Sequence, residues 1–212
     1  MKLYIADQTC SQAVQVIANE LGLDPEIIHY DVFDRSTSTG EDFTKVNPLL
    51  YVPVLELDTP AKDRLTETIV VISHLADQHP EAKLAPAHGT LERAKLDQLL
   101  VFIATEIAQK HIPLMRKLQT EEGAAWTRNK LLVAYKTLDD RLAKTQFIDG
   151  ETFGVADAYV WATMWGERSG VDISHLENLK AWKARMDTRP SVVKALADEA
   201  AAVATHRARQ AA

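Results

Sequence analysis

The hydrophobic pattern changes character once along the chain, near residues 79–90, and this change constrains the fold more than any other feature. Before it, short apolar runs typical of strands alternate with stretches of helical periodicity, as in residues 2–5 followed by residues 14–21. After it, apolar residues recur only at helical spacing. The sequence therefore predicts an α/β domain followed by an all-helical domain.

The first part predicts the element order βαβ-ββα. Residues 2–5 and 27–32 are predicted strands on either side of a helix, and a crossover of this length makes two such strands parallel. Residues 54–57 and 64–65 are predicted to form a hairpin. A helix that ends near Pro80 completes the domain.

We expect the domains to cover residues 1–79 and 90–212, with residues 80–89 as a linker that contains Pro80 and Pro86. In the second domain Pro113 is predicted to kink or end a long helix, and Pro190 fits the first turn of a last helix. The alanine-rich tail after Glu199, which includes His206, is predicted to fray.

Composition excludes several classes of function. A formal charge of −6 argues against a nucleic-acid partner, which requires a basic face. One cysteine excludes an intrachain disulfide and cysteine clusters for metals, and the histidines share no metal-ligand spacing. No stretch approaches the roughly 18 apolar residues of a membrane span, and Asp7 comes too early for a signal-peptide core. We expect a cytoplasmic protein without a membrane partner.

Cys10 is predicted to lie between the first strand and the first turn of the first helix. The partial positive charge of a helix N-terminus stabilises a thiolate, so Cys10 is a candidate nucleophile or partner in a mixed disulfide. Thr9 and Ser11 are candidate hydroxyl donors beside it. No second cysteine stands at Cys-x-x-Cys spacing, which disfavours a dithiol oxidoreductase. The alternative is that Cys10 is a small buried hydrophobe.

The dipeptide Val52-Pro53 places a proline directly before a predicted strand. Such a proline fits either a trans bond at a sheet edge or a cis bond, and the sequence leaves the isomer open. With a cis bond, the backbone N–H and C=O of Val52 would turn out of the sheet. They would then be free to pair with a peptide-like ligand as a short added strand.

The segment Leu65-Thr66-Glu67-Thr68 precedes a predicted helix. Unpaired N–H groups at a helix start attract a carboxylate, and the Thr68 hydroxyl would add a hydrogen bond. Glu67 would meet an ammonium group, so the segment matches the α-amino, α-carboxylate head of an amino acid. The alternative is ordinary helix capping by Thr66 or Glu67.

Asp157 stands near the start of a predicted helix in the second domain. Gly154 occupies the position where a capping box requires Ser or Thr. We therefore expect a structural role, in which the Asp157 carboxylate accepts hydrogen bonds from backbone N–H groups of the preceding loop.

In combination these motifs resemble the cytosolic glutathione S-transferase family over almost the whole chain, and its bacterial beta class most of all. The segments that carry the resemblance are Met1-Lys2-Leu3-Tyr4 with Cys10-Ser11, Asn47-Pro48 with Val52-Pro53-Val54-Leu55, Leu65-Thr66-Glu67 with His74-Leu75-Ala76-Asp77, Leu84-Ala85-Pro86, Ile103-Ala104-Thr105-Glu106 with Pro113-Leu114, Phe153 with Val155-Ala156-Asp157-Ala158-Tyr159, and Arg185-Met186 with Arg189-Pro190.

The resemblance implies a thioredoxin-like N-terminal domain that carries a glutathione site, and a helical domain that lines an apolar pocket for a second substrate. It also implies a homodimer with glutathione as co-substrate, no metal, and a role in detoxification. The glutathione thiolate would attack an electrophile or a disulfide.

The resemblance also carries site residues over by position. Cys10, with Thr9 and Ser11, would face the glutathione sulfur. Val52, held by Pro53, would pair with the cysteinyl backbone of glutathione. The remaining contacts would come from Glu67 and Thr68 to the γ-glutamyl head, and from Arg35 to a carboxylate.

Several positions depart from the beta class. Asp7-Gln8-Thr9 replaces the usual Pro-Gly before the cysteine, and Leu49-Leu50-Tyr51 replaces Lys-Gly-Gln. Val101 and Ala108 stand where the class has Asn and His residues that reach glutathione. Each lost hydrogen bond costs about 0.5–1.5 kcal/mol, so two or three losses would weaken binding roughly 10- to 1000-fold. A second hypothesis is therefore a binding or regulatory protein with weak or lost catalysis.

Overall fold

The structure, a computed structural model, describes residues 1–211. It divides into two compact units. The first contains residues 1–82 together with the segment from Arg189 onward, and the second contains residues 83–188. The division after Ala82 falls inside the expected linker, residues 80–89. The last helix, however, belongs to the first unit and not to the helical domain expected from the sequence.

A four-stranded sheet with the strand order β2-β1-β3-β4 organises the first unit. β1 (Lys2–Ile5) pairs in parallel with β2 (Glu26–His29) and antiparallel with β3 (Val54–Glu56). β4 (Arg64–Thr66) forms a hairpin with β3. The predicted βαβ-ββα order is confirmed.

The second strand is shorter than predicted, because the chain turns after His29. Tyr30 still bridges Thr37, but the Asp31 carboxylate accepts the Phe33 N–H at 2.8 Å and closes a turn. An aspartate that bonds the backbone two residues ahead favours a turn over a continued strand.

Side chains alternate between the two faces of the sheet. Tyr4 is in register with Ile28 and Val54, so these three share one face, where Phe43 and Val46 pack against them. The opposite face carries the buried Leu3, Ile5 and Leu55.

Two helices of the first unit, α1 (Ser11–Glu20) and α2 (Thr68–Gln78), pack against each other. Each of them begins directly after a segment that the sequence analysis singled out. The start of α1 follows Cys10, and the start of α2 follows Glu67.

The second unit is helical, as predicted. Its helices are α3 (Leu91–Phe102), α4 (Gln109–Met115), α5 (Glu121–Leu142), α6 (Val155–Ala162), α7 (Gly166–Ser169) and α8 (Glu177–Asp187). A π-helical segment, Ile103–Ala108, joins the first two of these. Pro113 lies in the last turn of α4, which fits a proline that ends a helix. No helix within residues 1–211 combines the length and apolar composition needed to cross a bilayer.

Asp157 has the structural role expected of it. Its carboxylate accepts the Ile148 N–H at 2.9 Å, the Gly154 N–H at 3.0 Å and the Trp182 indole N–H at 2.8 Å. Burial nevertheless raises the pKa of Asp157 to about 6. A Cβ at position 154 would lie 2.9 Å from the Leu84 carbonyl oxygen, which explains why glycine stands where a capping box has Ser or Thr.

The last helix, α9 (Pro190–Gln210), packs on α1 and β2. Pro190 occupies its first turn, as predicted. The predicted fraying after Glu199 is wrong, because the helix continues to Gln210 and keeps the side chains of Glu199 and His206 buried. These two polar side chains have partners inside the first unit, and an alanine-rich pattern does not reveal such contacts.

Candidate functional site

Three segments of the first unit meet at Cys10. The cysteine immediately precedes α1 and is half-buried. Its sulfur lies 3.6 Å from the carbonyl oxygen of Val52, to which the thiol donates. Thr68, the first residue of α2, also forms a side-chain hydrogen bond with Cys10. The structure therefore brings together Cys10, Val52 and Thr68, which the sequence analysis had singled out separately.

The electrostatics of Cys10 differ from the sequence-based expectation. Burial raises the pKa of the Cys10 thiol, and the hydrogen bond from Thr68 opposes this effect only in part. The nearby Glu67 carboxylate adds to the increase in pKa. Cys10 is therefore held as a neutral thiol, not as the thiolate that a helix N-terminus alone would favour. It is also not the fully buried hydrophobe of the alternative interpretation.

The Val52-Pro53 bond is cis. Val52 lies just outside β3, and within residues 1–211 its N–H has no backbone partner. Pro53 is buried, whereas Val52 is half-buried. Val52 thus supplies a carbonyl that accepts from the Cys10 thiol and an N–H that a ligand can use.

Asn47 holds the segment before Val52, a role that the sequence analysis did not assign. Its side-chain amide donates to the Tyr51 carbonyl at 2.9 Å and accepts the Leu49 N–H at 3.1 Å. An Asn followed by proline is a turn signal, but the sequence does not show that the turn fixes a site residue. Because Asn47 is buried, these hydrogen bonds are shielded from water.

Glu67 has an unusual backbone conformation between β4 and α2. Its φ of 64° and ψ of 117° lie outside the regions that L-residues prefer. Such a conformation costs of order 1–3 kcal/mol and is typical of functional sites. Glu67 makes no side-chain capping hydrogen bond, so the capping alternative does not describe this carboxylate, which is exposed.

The hydroxyls of Thr9 and Ser11 stabilise the loop between β1 and α1. They lie 2.8 Å from each other, and both bond to the Ala6 carbonyl, at 2.8 Å and 3.2 Å. Ser11 is fully buried. In the described structure the Ser11 hydroxyl supports this loop, and its contact with glutathione stays a prediction. Thr9 remains half-buried.

Arg35 lies apart from this cluster in the loop after β2. It is exposed and has a positive φ of 61°. No hydrogen bond or ion pair in the described part of the chain joins its side chain to Cys10, Val52 or Glu67.

The same residues 1–211 contain no group of three or more His, Cys, Asp or Glu side chains placed to hold a metal ion.

The residues that depart from the beta-class pattern have different environments. Leu49 and Tyr51 are 65% and 63% exposed, whereas Leu50 packs against the core cluster around Tyr4. In the second unit Val101 is exposed and Ala108 is buried.

This chain is similar to known proteins in both sequence and fold. A family model of the glutathione S-transferase N-terminal domain matches residues 9–78. Glutathione S-transferase GstA of Escherichia coli O157:H7 is 31% identical over 200 residues, which cover 94% of this chain and 98% of GstA.

Two solved structures of similar proteins cover 94% of this chain. A sphingomonad glutathione S-transferase complexed with glutathione is 34% identical, with a TM-score of 0.88 and 99% of its own chain covered. The bacterial beta-class glutathione S-transferase of Sphingomonas chungbukensis is 35% identical, with a TM-score of 0.87 and 98% covered.

Proposed function

Because this chain belongs to the glutathione S-transferase family, we propose that it binds glutathione at Cys10, Val52, Glu67 and Thr68 and uses the glutathione thiolate as a nucleophile. The protein is a glutathione S-transferase-like enzyme, as its relatives at moderate identity are. The observation that carries the site assignment is the meeting of three separate segments at the Cys10 sulfur, 3.6 Å from the Val52 carbonyl.

The proposed site offers one group for each part of the tripeptide. The cysteinyl backbone pairs with the N–H and C=O of Val52, beside the cis peptide bond. The γ-glutamyl ammonium meets the exposed Glu67 carboxylate. The α-carboxylate of the same γ-glutamyl residue binds at the start of α2, where Thr68 adds a hydroxyl.

Thr9 and Arg35 have secondary parts in this proposal. The half-buried Thr9 directly precedes Cys10 in the same loop. We therefore assign Thr9 to the part of glutathione that carries the sulfur. Arg35 is the candidate for a peptide carboxylate, and its long side chain would have to reach the site from the loop after β2.

The chemistry follows from the protonation state of Cys10. A neutral thiol does not compete as a second thiolate. When glutathione binds, the single S–H of Cys10 can turn from the Val52 carbonyl to the glutathione sulfur. The N-terminus of α1 adds partial positive charge beside that sulfur. The glutathione thiol loses its proton to solvent, its sulfur forms a bond to the electrophilic carbon, and the leaving group departs with the electron pair. Positioning and a lowered glutathione pKa supply the rate acceleration.

A redox variant of this function is the second candidate, because Cys10 is a half-buried residue and not part of the fully buried core. In that case the Cys10 thiolate attacks a disulfide, forms a mixed disulfide and releases one thiol. The glutathione thiolate then attacks the substrate-derived sulfur of the mixed disulfide, which returns the Cys10 thiolate and releases that fragment as its disulfide with glutathione. The increase in the Cys10 pKa favours conjugation over this path at neutral pH.

We also propose that the protein forms a homodimer and that its second substrate is a small-molecule electrophile. Its proposed location is the cytoplasm, and its proposed role is detoxification. A single cysteine fits a reducing compartment.

The variant Cys10→Ala separates the two chemistries. We expect it to retain turnover of a general aryl electrophile within about tenfold, since the loss is one weak hydrogen bond. Loss of disulfide reduction with retained conjugation would assign Cys10 to redox work alone. Wild-type protein that turns over neither substrate would favour the binding-protein hypothesis.

A further inference from the structure

The loop that precedes Cys10 is held by the last helix of the chain. The N–H of Gln8 donates to Glu199 Oε1 at 3.1 Å, although the two residues are 191 positions apart. The same oxygen accepts the side-chain amide of Gln12 at 2.9 Å. Gln8 and Gln12 lie two residues before and two residues after Cys10, so one carboxylate oxygen of α9 fixes both sides of the cysteine.

The backbone conformation of Gln8 is one that a hydrogen bond can help to stabilise. Its φ of 56° lies in the left-handed region, which glycine adopts readily and which residues with a Cβ avoid. A charge-assisted hydrogen bond to the buried Glu199 stabilises the backbone in this conformation. Glu199 thus supports a loop that the sequence does not make stable by a glycine.

A second contact joins α9 to the same loop through two histidines. His206 Nδ1 lies 2.8 Å from Nδ1 of His29, at the end of β2. His29 Nε2 lies 3.4 Å from the carboxylate of Asp7, the residue before Gln8. Both histidines are buried, so this contact is also shielded from water.

We propose that α9 positions the Cys10 loop, with Glu199 and His206 as positioning residues that set the exposure and reactivity of Cys10. The positioning of this loop by α9 does not depend on whether glutathione binds. Its consequence for catalysis rests on the proposed function, because it assumes that Cys10 faces glutathione.

The chain offers a direct reporter of this loop, because Cys10 is its single cysteine. The rate at which iodoacetamide alkylates the intact protein at pH 8 therefore measures the exposure and ionisation of one side chain. With Glu199→Ala, loss of a charge-assisted hydrogen bond is expected to accelerate alkylation about tenfold. Glu199→Gln keeps an oxygen acceptor and is expected to remain within twofold of the wild-type rate.

Asp198→Asn is the matched control, since Asp198 is the neighbouring carboxylate on α9 and pairs with Lys194 of the same helix. We expect the wild-type alkylation rate. Gln8→Gly in the Glu199→Ala background is the rescue variant, because glycine adopts φ 56° without the carboxylate. Slow alkylation should return in this double variant.

Equal alkylation rates for wild type and a folded Glu199→Ala would overturn the proposal, as would equally fast alkylation of Glu199→Gln and Glu199→Ala. If Glu199→Ala does not fold, His206→Gln tests the second contact, and a wild-type rate for that variant would equally count against the proposal. Alkylation needs no glutathione. A protein that fails to bind glutathione but shows the expected rates would therefore retain the positioning role and lose only the proposed function.

Discussion

The sulfur of Cys10 lies 3.6 Å from the carbonyl oxygen of Val52 and donates to it. A thiol that donates a hydrogen bond to a carbonyl is stabilised in its neutral form, and burial acts in the same direction. The fixed protonation state of Cys10 decides which chemistry the site favours.

We predict that Cys10 titrates above its ordinary value of 9.0, because burial raises its pKa. The pH dependence of iodoacetamide alkylation measures this value. The variant Thr68→Val should raise the pKa further, since the Thr68 hydrogen bond stabilises the thiolate. An apparent pKa below 8, or a lower pKa in Thr68→Val, would contradict this electrostatic account.

The Glu67 carboxylate is predicted to set the affinity for the ammonium group of glutathione. Replacement by Gln removes one charge-assisted hydrogen bond, so the KM for glutathione should rise about 10- to 100-fold. The value of kcat should change less, because this contact lies away from the reacting sulfur. Glu26→Gln removes an exposed carboxylate at the start of β2 and serves as the control. A similar KM in both variants would remove Glu67 from the site.

His111 is predicted to lower the free energy of unfolding as the solution becomes acidic. It is fully buried, with Nδ1 2.7 Å from the Ser169 hydroxyl and Nε2 2.7 Å from the Tyr135 hydroxyl. Burial, with a smaller effect of the Arg168 charge, lowers its pKa from 6.5 to about 4. The unfolded chain therefore takes up this proton first as the pH falls.

The stabilisation that comes from a neutral His111 is complete above pH 6.5 and is lost as the pH falls from 6.5 to about 4. The loss amounts to about 3 kcal/mol in the free energy of unfolding. Urea denaturation at several pH values should show this slope in the wild type and a flatter one in His111→Asn. Parallel pH profiles for the two proteins would disprove the assignment.

The His29–His206 contact is predicted to open in acid. Two nitrogens 2.8 Å apart share one hydrogen, so a second hydrogen in this contact would place two N–H groups against each other. Burial lowers the pKa of His29 below its ordinary value of 6.5. The charged groups that surround the pair are Asp7 and Asp31 near His29 and Asp34 near His206.

Hydrogen-exchange protection factors for the last two turns of α9 measure this opening. They should fall as the pH drops below 6.5 in the wild type and depend less on pH in His206→Gln. Protection that stays constant in the wild type over this range would refute the prediction.

The order of strands and helices could be predicted because its signals are local. Residues 14–21 show one helical face, and residues 54–57 and 64–65 flank a turn. The isomer of the Val52-Pro53 bond and the strained backbone of Glu67 could not be predicted, because each depends on how neighbouring segments pack. Sequence placed the candidate residues Cys10 and Thr68 correctly at helix starts but did not show that they touch.

The contacts of α9 could not be predicted from the sequence for a different reason. Glu199 and His206 are polar, and such residues are usually exposed. Their partners Gln8 and His29 are more than 170 positions away. An alanine-rich segment without an apolar stripe therefore suggested a frayed tail, although its buried polar groups anchor it.

Isothermal titration of the wild-type protein with glutathione, followed by an assay with an aryl electrophile, shows whether Cys10 and its neighbours form a working glutathione site. The site built from Cys10, Val52, Glu67 and Thr68 predicts micromolar affinity, and affinity that falls in Glu67→Gln. It also predicts turnover of the electrophile. Millimolar or undetectable binding without turnover would contradict the proposed function and favour the binding-protein hypothesis, which the replacements at Leu49, Leu50, Val101 and Ala108 suggested.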